Sequence, residues 1–270
     1  MAKGIMGIIA CPILEDEIVH SLRTDTEKRN LFVADTGSTG TLTAKLERYG
    51  IPFTMIDEWE FTNGFVEFDE NALNIVIIMN KLGLHSLPDV LKKTVEDQLK
   101  QYQNRFDSIA LYYGMCGNAG WDVSKWASRS LNVPVFVFRD VNEEVCDDCI
   151  GVAVGGHQRY CEFVKKHPGQ LFVTPAIAGS WREFSKEMDM LKGFEIMDIY
   201  SLKDMFALFG YKYSVNIDTG IGVRGDELQK GFEKVAGECG LEMIVPPPGS
   251  TDMFPTERLY SDAKSALKQP

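Results

Sequence analysis

Nothing in the 270 residues approaches the unbroken stretch of about 20 apolar residues that a membrane-spanning helix requires. Basic residues are also scarce: Lys and Arg total 28 against 39 Asp and Glu, leaving a net charge of -11. A surface that acidic repels phosphate backbones, and no run of Lys and Arg offers a local exception, so nucleic acid is not an expected partner. The six cysteines are too few for a disulfide scaffold in a chain of this length. They read instead as metal or redox groups in a reducing cytoplasm. Internal repeats and low-complexity tracts are missing, and proline clusters only at Pro246-Pro247-Pro248. After Lys3, the apolar Gly4 to Cys11 imitates a short export signal, and Ile8-Ile9-Ala10-Cys11 a lipoprotein cleavage site. Glu15, Asp16 and Glu17 follow at once, so a first strand is the expected reading.

What is present is the composition of a globular chain, 44% hydrophobic and 25% charged, with enough apolar material for a sizeable core. Short β-branched runs predict strands at Gly4–Ala10, Leu31–Ala34, Asn74–Met79, Ser108–Tyr113, Val133–Phe138, Leu171–Thr174 and Ser214–Ile217. Amphipathic segments predict helices at Leu14–Leu22, Leu42–Tyr49, Pro88–Phe106, Val123–Leu131, Gln158–His167, Ser180–Phe194, Leu202–Phe209 and Asp226–Cys239. Strand-helix alternation with continuously apolar strands indicates an α/β fold, a mainly parallel sheet with helices on both faces, Rossmann-like. A single α/β domain over residues 1–270 is expected, with a C-terminal tail from about residue 246.

In such folds ligands bind beyond the carboxyl ends of the strands, and those positions are rich in thiols. Cys11 follows the first predicted strand. Cys116 follows the fourth, in Tyr113-Gly114-Met115-Cys116-Gly117-Asn118. His85 lies in the loop before Pro88, and Cys146 and Cys149 come shortly after Arg139 and Asp140. Thiolate and imidazole donors suit zinc, or an iron–sulfur cluster where iron is available. Cys11, His85, Cys116 and Cys149 are therefore the candidate metal ligands, with Cys146 or Asp148 in reserve. The spacing Cys146-x-x-Cys149 also fits disulfide exchange, but Asp147 and Asp148 between the thiols raise their pKa, a charge that a bound cation offsets. Taken singly, Cys11 and Cys116 read more readily as small buried core residues than as ligands; the combined pattern is what favours a metal. Cys161 and Cys239 fall within predicted helices and read as packing residues.

The glycine-rich Asp35-Thr36-Gly37-Ser38-Thr39-Gly40-Thr41 follows a strand and precedes a helix. Gly37 and Ser38 could let backbone amides approach an anionic substrate, although the stretch lacks the Lys of a P-loop and is not GxGxxG. A capped strand-to-helix turn is the competing reading. Asp35-Thr36-Gly37 and Asp218-Thr219-Gly220 together imitate the paired motifs of pepsin-like proteases. The helix-forming Leu42-Thr43-Ala44-Lys45-Leu46-Glu47 contradicts the all-β context those motifs need.

Several motifs carry a resemblance across most of the chain: Ala10-Cys11, Leu84-His85 with Pro88, the Tyr113 to Asn118 run, Arg139, Asp148-Cys149-Ile150, Gly155-Gly156 with Tyr160, Pro168-Gly169, Thr174 with Trp181, and Ile217-Asp218-Thr219-Gly220. In these the chain resembles an uncharacterised domain-of-unknown-function family of methanogenic archaea and other anaerobes, whose members often accompany corrinoid-dependent methyltransferases. Two departures stand out. Asp147-Asp148-Cys149 replaces the family's usual His-Asp-Cys, and residues 31–70 read as an insertion. The resemblance supplies no activity of its own, but its association with methyltransferases fits the thiol pattern. Together they lead to the expectation of a cytoplasmic metal–thiolate protein acting in or assisting one-carbon or corrinoid-dependent methyl transfer, with a small-molecule substrate and a corrinoid protein as candidate partners. On this reading Arg139 grips an anionic group or pairs with Asp140 or Asp148. Asp148 orients a ligand or acts as a base, and Asn118 and Asp218 hydrogen-bond substrate. An iron–sulfur protein handling sulfur or electrons, and a non-enzymatic chaperone or binding module for a corrinoid protein, are the alternatives.

Overall fold

The strands expected from the apolar runs all form, but they divide between two parallel sheets rather than lying in one. The computed structural model describes residues 2–84, 87–116, 118, 120–188, 191 and 199–268. The larger sheet contains β1 (Gly4–Ala10), β2 (Arg29–Asp35), β3 (Thr54–Asp57), β4 (Leu73–Met79), β5 (Ser108–Tyr112) and β6 (Val135–Val137). They run in the order β3-β2-β4-β1-β5-β6, every neighbouring pair parallel. The smaller sheet contains β7 (Gln170–Val173), β8 (Tyr213–Asn216) and β9 (Glu242–Ile244), also parallel. Together the two sheets make an α/β, Rossmann-like architecture. The stretch read as an insertion supplies β2 and β3 with α2 (Gly40–Arg48) and α3 (Glu58–Asn63), at one edge of the larger sheet.

Alternation along each strand sorts side chains onto two faces. On one face Met6 and Ile8 of β1 pack with Ile18 and Leu22 of α1 (Glu15–Thr24), Leu42 and Leu46 of α2, and Leu259 and Ala263 of α12 (Phe254–Ser265). On the other, Ile9 packs with Leu91, Val95 and Leu99 of α4 (Pro88–Tyr102) and with Val123 and Ala127 of α5 (Val123–Ser130). The smaller sheet has a third core, in which Val173, Val215 and Ile217 meet Trp181 of α9 (Trp181–Glu187), Phe206 of α10 (Ile199–Leu208) and Phe232 of α11 (Gly225–Cys239). The segment after the proline cluster is helical: α12 covers the larger sheet, and beyond it Lys268 forms an antiparallel bridge with Lys3. Of the helix expected over Ser180–Phe194, α9 accounts for Trp181–Glu187; residues 189–190 and 192–198 lie outside the described residues.

One consequence of the strand order positions everything that follows. From β1 the chain turns through α1 toward β2, on one face. From β5 it turns through α5 toward β6, on the opposite face. Between the carboxyl ends of adjacent β1 and β5 the connections diverge, and a crevice opens there as it does at other topological switch points. The first turn of α1 is also unusual for its burial: Glu15, Asp16 and Glu17 are 6%, 4% and 4% exposed. Lys45 of α2 reaches across to Glu15 at 2.8 Å and Asp16 at 2.6 Å, so one ammonium is shared by two of the three carboxylates.

Candidate functional site

The crevice leads into a cavity of about 420 Å3 lined by Cys11, Cys116 and Cys149, with Asp147, Asp148, Tyr113 and Tyr160 as its other polar groups. Ile13, Leu14, Ile150 and Phe184 supply the apolar wall. Cys11 ends β1, where its amide donates to Tyr112 O at 3.0 Å, so the paired strands deliver the first thiol directly beside the end of β5. A 3-10 turn, Pro12–Leu14, then bends the chain into α1. Cys116 sits four residues past β5 with a left-handed backbone, φ 46°, a conformation that non-glycine residues seldom hold without support. That support is visible: its amide donates to Asp147 O at 2.6 Å. Gly114 carries the same contact further, because a Cβ there would overlap the Asp148 backbone. Two loops thus meet backbone to backbone, and this meeting places Cys116 near Cys149. Cys149 opens α6 (Cys149–Val154), where Asp148 caps the helix by accepting from the Gly151 amide at 2.7 Å.

All three thiols are partly open to the cavity and otherwise surrounded by protein. Burial pushes the Cys11 thiol up to about 12; the Ile13 amide opposes this, and Glu15 and Glu17 add to it. Burial raises Cys116 as well, helped by Cys11 and Asp148, and it raises Cys149, helped by Asp148, Cys116 and Cys11. Asp148 is raised too, chiefly by burial, against hydrogen bonds from the Gly151 amide and the Tyr160 hydroxyl. The Tyr160 phenol in turn moves up through burial and the neighbouring carboxylate. Burial thus favours the protonated form of the three thiols and shifts Asp148 in the same direction. An anion gains nothing from such a lining, whereas a cation that displaces protons gains several negative donors at once.

The structure brings three of the four expected ligands to one cavity; the fourth, His85, lies outside the described residues. Among the described residues, no group of three His, Cys, Asp or Glu side chains is arranged to hold a metal ion as it stands. Cys146 does not join Cys149. Its side chain is fully buried in the core with Phe138 and Val152, and it stands before the Asp148 cap while Cys149 stands after it. Arg139 does not line the cavity: it donates to both Asp122 oxygens, at 2.9 and 3.2 Å, and to Ser124 Oγ at 2.8 Å. Its ion-pair partner is thus Asp122, not Asp140 or Asp148. Asn118 faces a different groove and donates to Pro88 O at 2.9 Å and Met115 O at 3.1 Å. Gly37 and Ser38 are absent from the cavity lining, and Asp35 and Asp218 each accept from an amide two residues on, at 3.1 and 2.8 Å, as exposed turn formers. Tyr113, Asp147, Tyr160 and Phe184 line the cavity without having been expected there; proximity of the first to Cys116 and of the second to Cys149 in sequence is the signal they carry.

The sequence profile of a family described as "Protein of unknown function (DUF1638)" matches residues 79–255, from the end of β4 to the start of α12. The chain belongs to the DUF1638 family. The matched region contains Cys116, Cys149, Asp148 and Tyr160 and all of the smaller sheet, while Cys11 and β1 precede it. No curated protein and no solved structure matches the chain.

Proposed function

We propose that this DUF1638 protein is a metal–thiolate protein that serves one-carbon transfer, with Cys11, Cys116 and Cys149 as the sulfur donors and His85 as the fourth ligand. The observation that supports it is the convergence of three thiols, from three separate strand ends and loops, on one cavity at the switch point of the sheet. Soft donors in that number suit zinc. When bound, such a metal lowers the pKa of a substrate thiol and holds the thiolate for methyl attack. The chain's own residues contribute the rest. Ile13, Leu14, Ile150 and Phe184 exclude water and accept an apolar methyl-bearing group. Asp148, whose carboxyl pKa burial raises and which is hydrogen-bonded to Tyr160, is placed to take up or return a proton at its carboxyl oxygen. A methylated corrinoid carried by a partner protein would supply the methyl group to the substrate sulfur.

One observation favours a second reading, an iron–sulfur cluster. A single zinc ion needs its sulfurs gathered at about 2.3 Å around one point. The described thiols instead surround a cavity without that arrangement, and a cluster brings its own bulk to span more widely placed cysteines.

Anaerobic purification with elemental and acid-labile sulfide analysis, on the wild type and on Cys116→Ala and Cys149→Ala, tests both. One colourless zinc per chain, lost in both variants, supports the first reading. Brown protein containing iron and sulfide supports the second. A folded wild type that holds neither metal after anaerobic reconstitution overturns the metal–thiolate account.

A further inference from the structure

We infer that a second groove, on the opposite side of the Cys116 loop from the thiol cavity, binds a nucleoside polyphosphate. The groove has a volume of about 530 Å3 and runs between α4 and α5. It shares no lining residue with the thiol cavity, so the inference does not depend on the metal reading. Its size falls in the range of small-molecule sites, roughly 300–1,000 Å3.

Its lining is net positive, with three cations against Asp89 and Asp122. In a chain of net charge -11, Lys92, Lys125 and Arg129 gather in one groove around Trp121 and Trp126. Lys125 reaches Asp122 at 3.3 Å, but that carboxylate is already taken by Arg139 at 2.9 Å. Lys92 and Arg129 have no carboxylate partner among the described residues. The Lys92 ammonium instead lies 6.0 Å from the centre of the Trp121 ring, a contact that holds it over the groove while leaving its charge uncompensated.

Two aromatic rings and two cations without a carboxylate partner among the described residues specify the guest. A heteroaromatic ring stacks on indole whatever its hydrogen-bonding edge. Phosphate oxygens meet Lys92 and the planar fork of Arg129. A polymer is disfavoured, because the acidic surface beyond the groove repels a continuing phosphate chain; a single nucleotide with its charges close together is not.

Tryptophan fluorescence of the full chain, titrated with ATP, with adenosine and with inorganic tripolyphosphate, reads this directly. Saturable quenching by ATP is expected, with adenosine and tripolyphosphate each at least about tenfold weaker. Lys92→Glu combined with Arg129→Glu, both on helix surfaces, is expected to weaken ATP by a similar factor with an unchanged circular dichroism spectrum. Trp126→Leu should bring ATP down to the affinity of tripolyphosphate. No saturable response at millimolar ATP, an unaltered affinity in the charge-reversed variant, or tripolyphosphate binding as tightly as ATP would each overturn the assignment.

Discussion

Gly114 decides whether the two thiol-bearing loops can meet. The neighbour that a side chain at 114 would strike is the Asp148 backbone, which has no rotamer to yield with. Gly114→Ala is therefore expected to push the loop that carries Cys116 away from the α6 cap and to destabilise the fold by about 1–3 kcal/mol, as overpacking does. Urea unfolding measures the loss, and the rate of Cys116 alkylation should rise with it. An alanine variant of wild-type stability and thiol reactivity would contradict this account of the contact. The same region explains why one sequence signal misleads. A Cys-x-x-Cys spacing looks like a pair, yet the two residues lie on either side of a helix start, one in the core and one in the cavity. Spacing along the chain does not say where a cap will fall between two positions.

At the scale of elements, α5 depends heavily on the residue that precedes it. Asp122 caps the helix by accepting from the Lys125 amide at 3.2 Å, and it also holds Arg139 and Ser124. The hydrogen bonds from Ser124, Arg139 and the Lys125 amide outweigh its burial and hold its carboxyl well below the usual range. Because the folded pKa is depressed, this contribution is present above the ordinary value of 3.8 and is lost as pH falls through the folded one. Asp122→Ala should cost about 2–3 kcal/mol near neutral pH, a cap plus a stranded Arg139. Chemical denaturation checks the figure, and the deficit should shrink in acid. Most elements of the larger sheet are legible in the sequence because β1, β4 and β5 are unbroken apolar runs. β3 is not: three of its four residues are exposed at the sheet edge, so no apolar run announces it. β9 and the short α6 and α8 (Pro175–Gly179) escape for a related reason, since three to six residues hold less than two helical turns or one strand's worth of pattern.

For the whole molecule, the alternation of strands and helices conveys the α/β class but not which strands share a sheet, because β7 and β8 carry the same apolar pattern as β1 and β5. Nor does it convey that Glu15, Asp16 and Glu17, which look like a solvated helix start, are buried together. Glu17 is the member that Lys45 does not reach by a hydrogen bond, and burial followed by the Asp16 charge pushes it up to about 8. A carboxyl raised in the folded state adds stability that is complete below its ordinary 4.5 and disappears as pH rises through about 8. Global stability is thus expected to decline across that window, by up to about 1.4 kcal/mol per pH unit from this group. Glu17→Gln should flatten the decline and leave the variant more stable than wild type under mildly alkaline conditions. Thermal unfolding at a series of pH values shows it, and parallel slopes for the two proteins would refute it.

The antiparallel bridge between Lys3 and Lys268, closed by a hydrogen bond of 3.0 Å, lets the polypeptide be re-threaded. A short Gly-Ser joint could run from residue 268 to residue 3, and fresh ends could be cut at the exposed Gly249 turn. Such a circular permutant should retain the parent's spectroscopic signature and melting profile. It would also detach α12 from the smaller sheet in chain order, so that it is synthesised first, immediately ahead of the strands it covers.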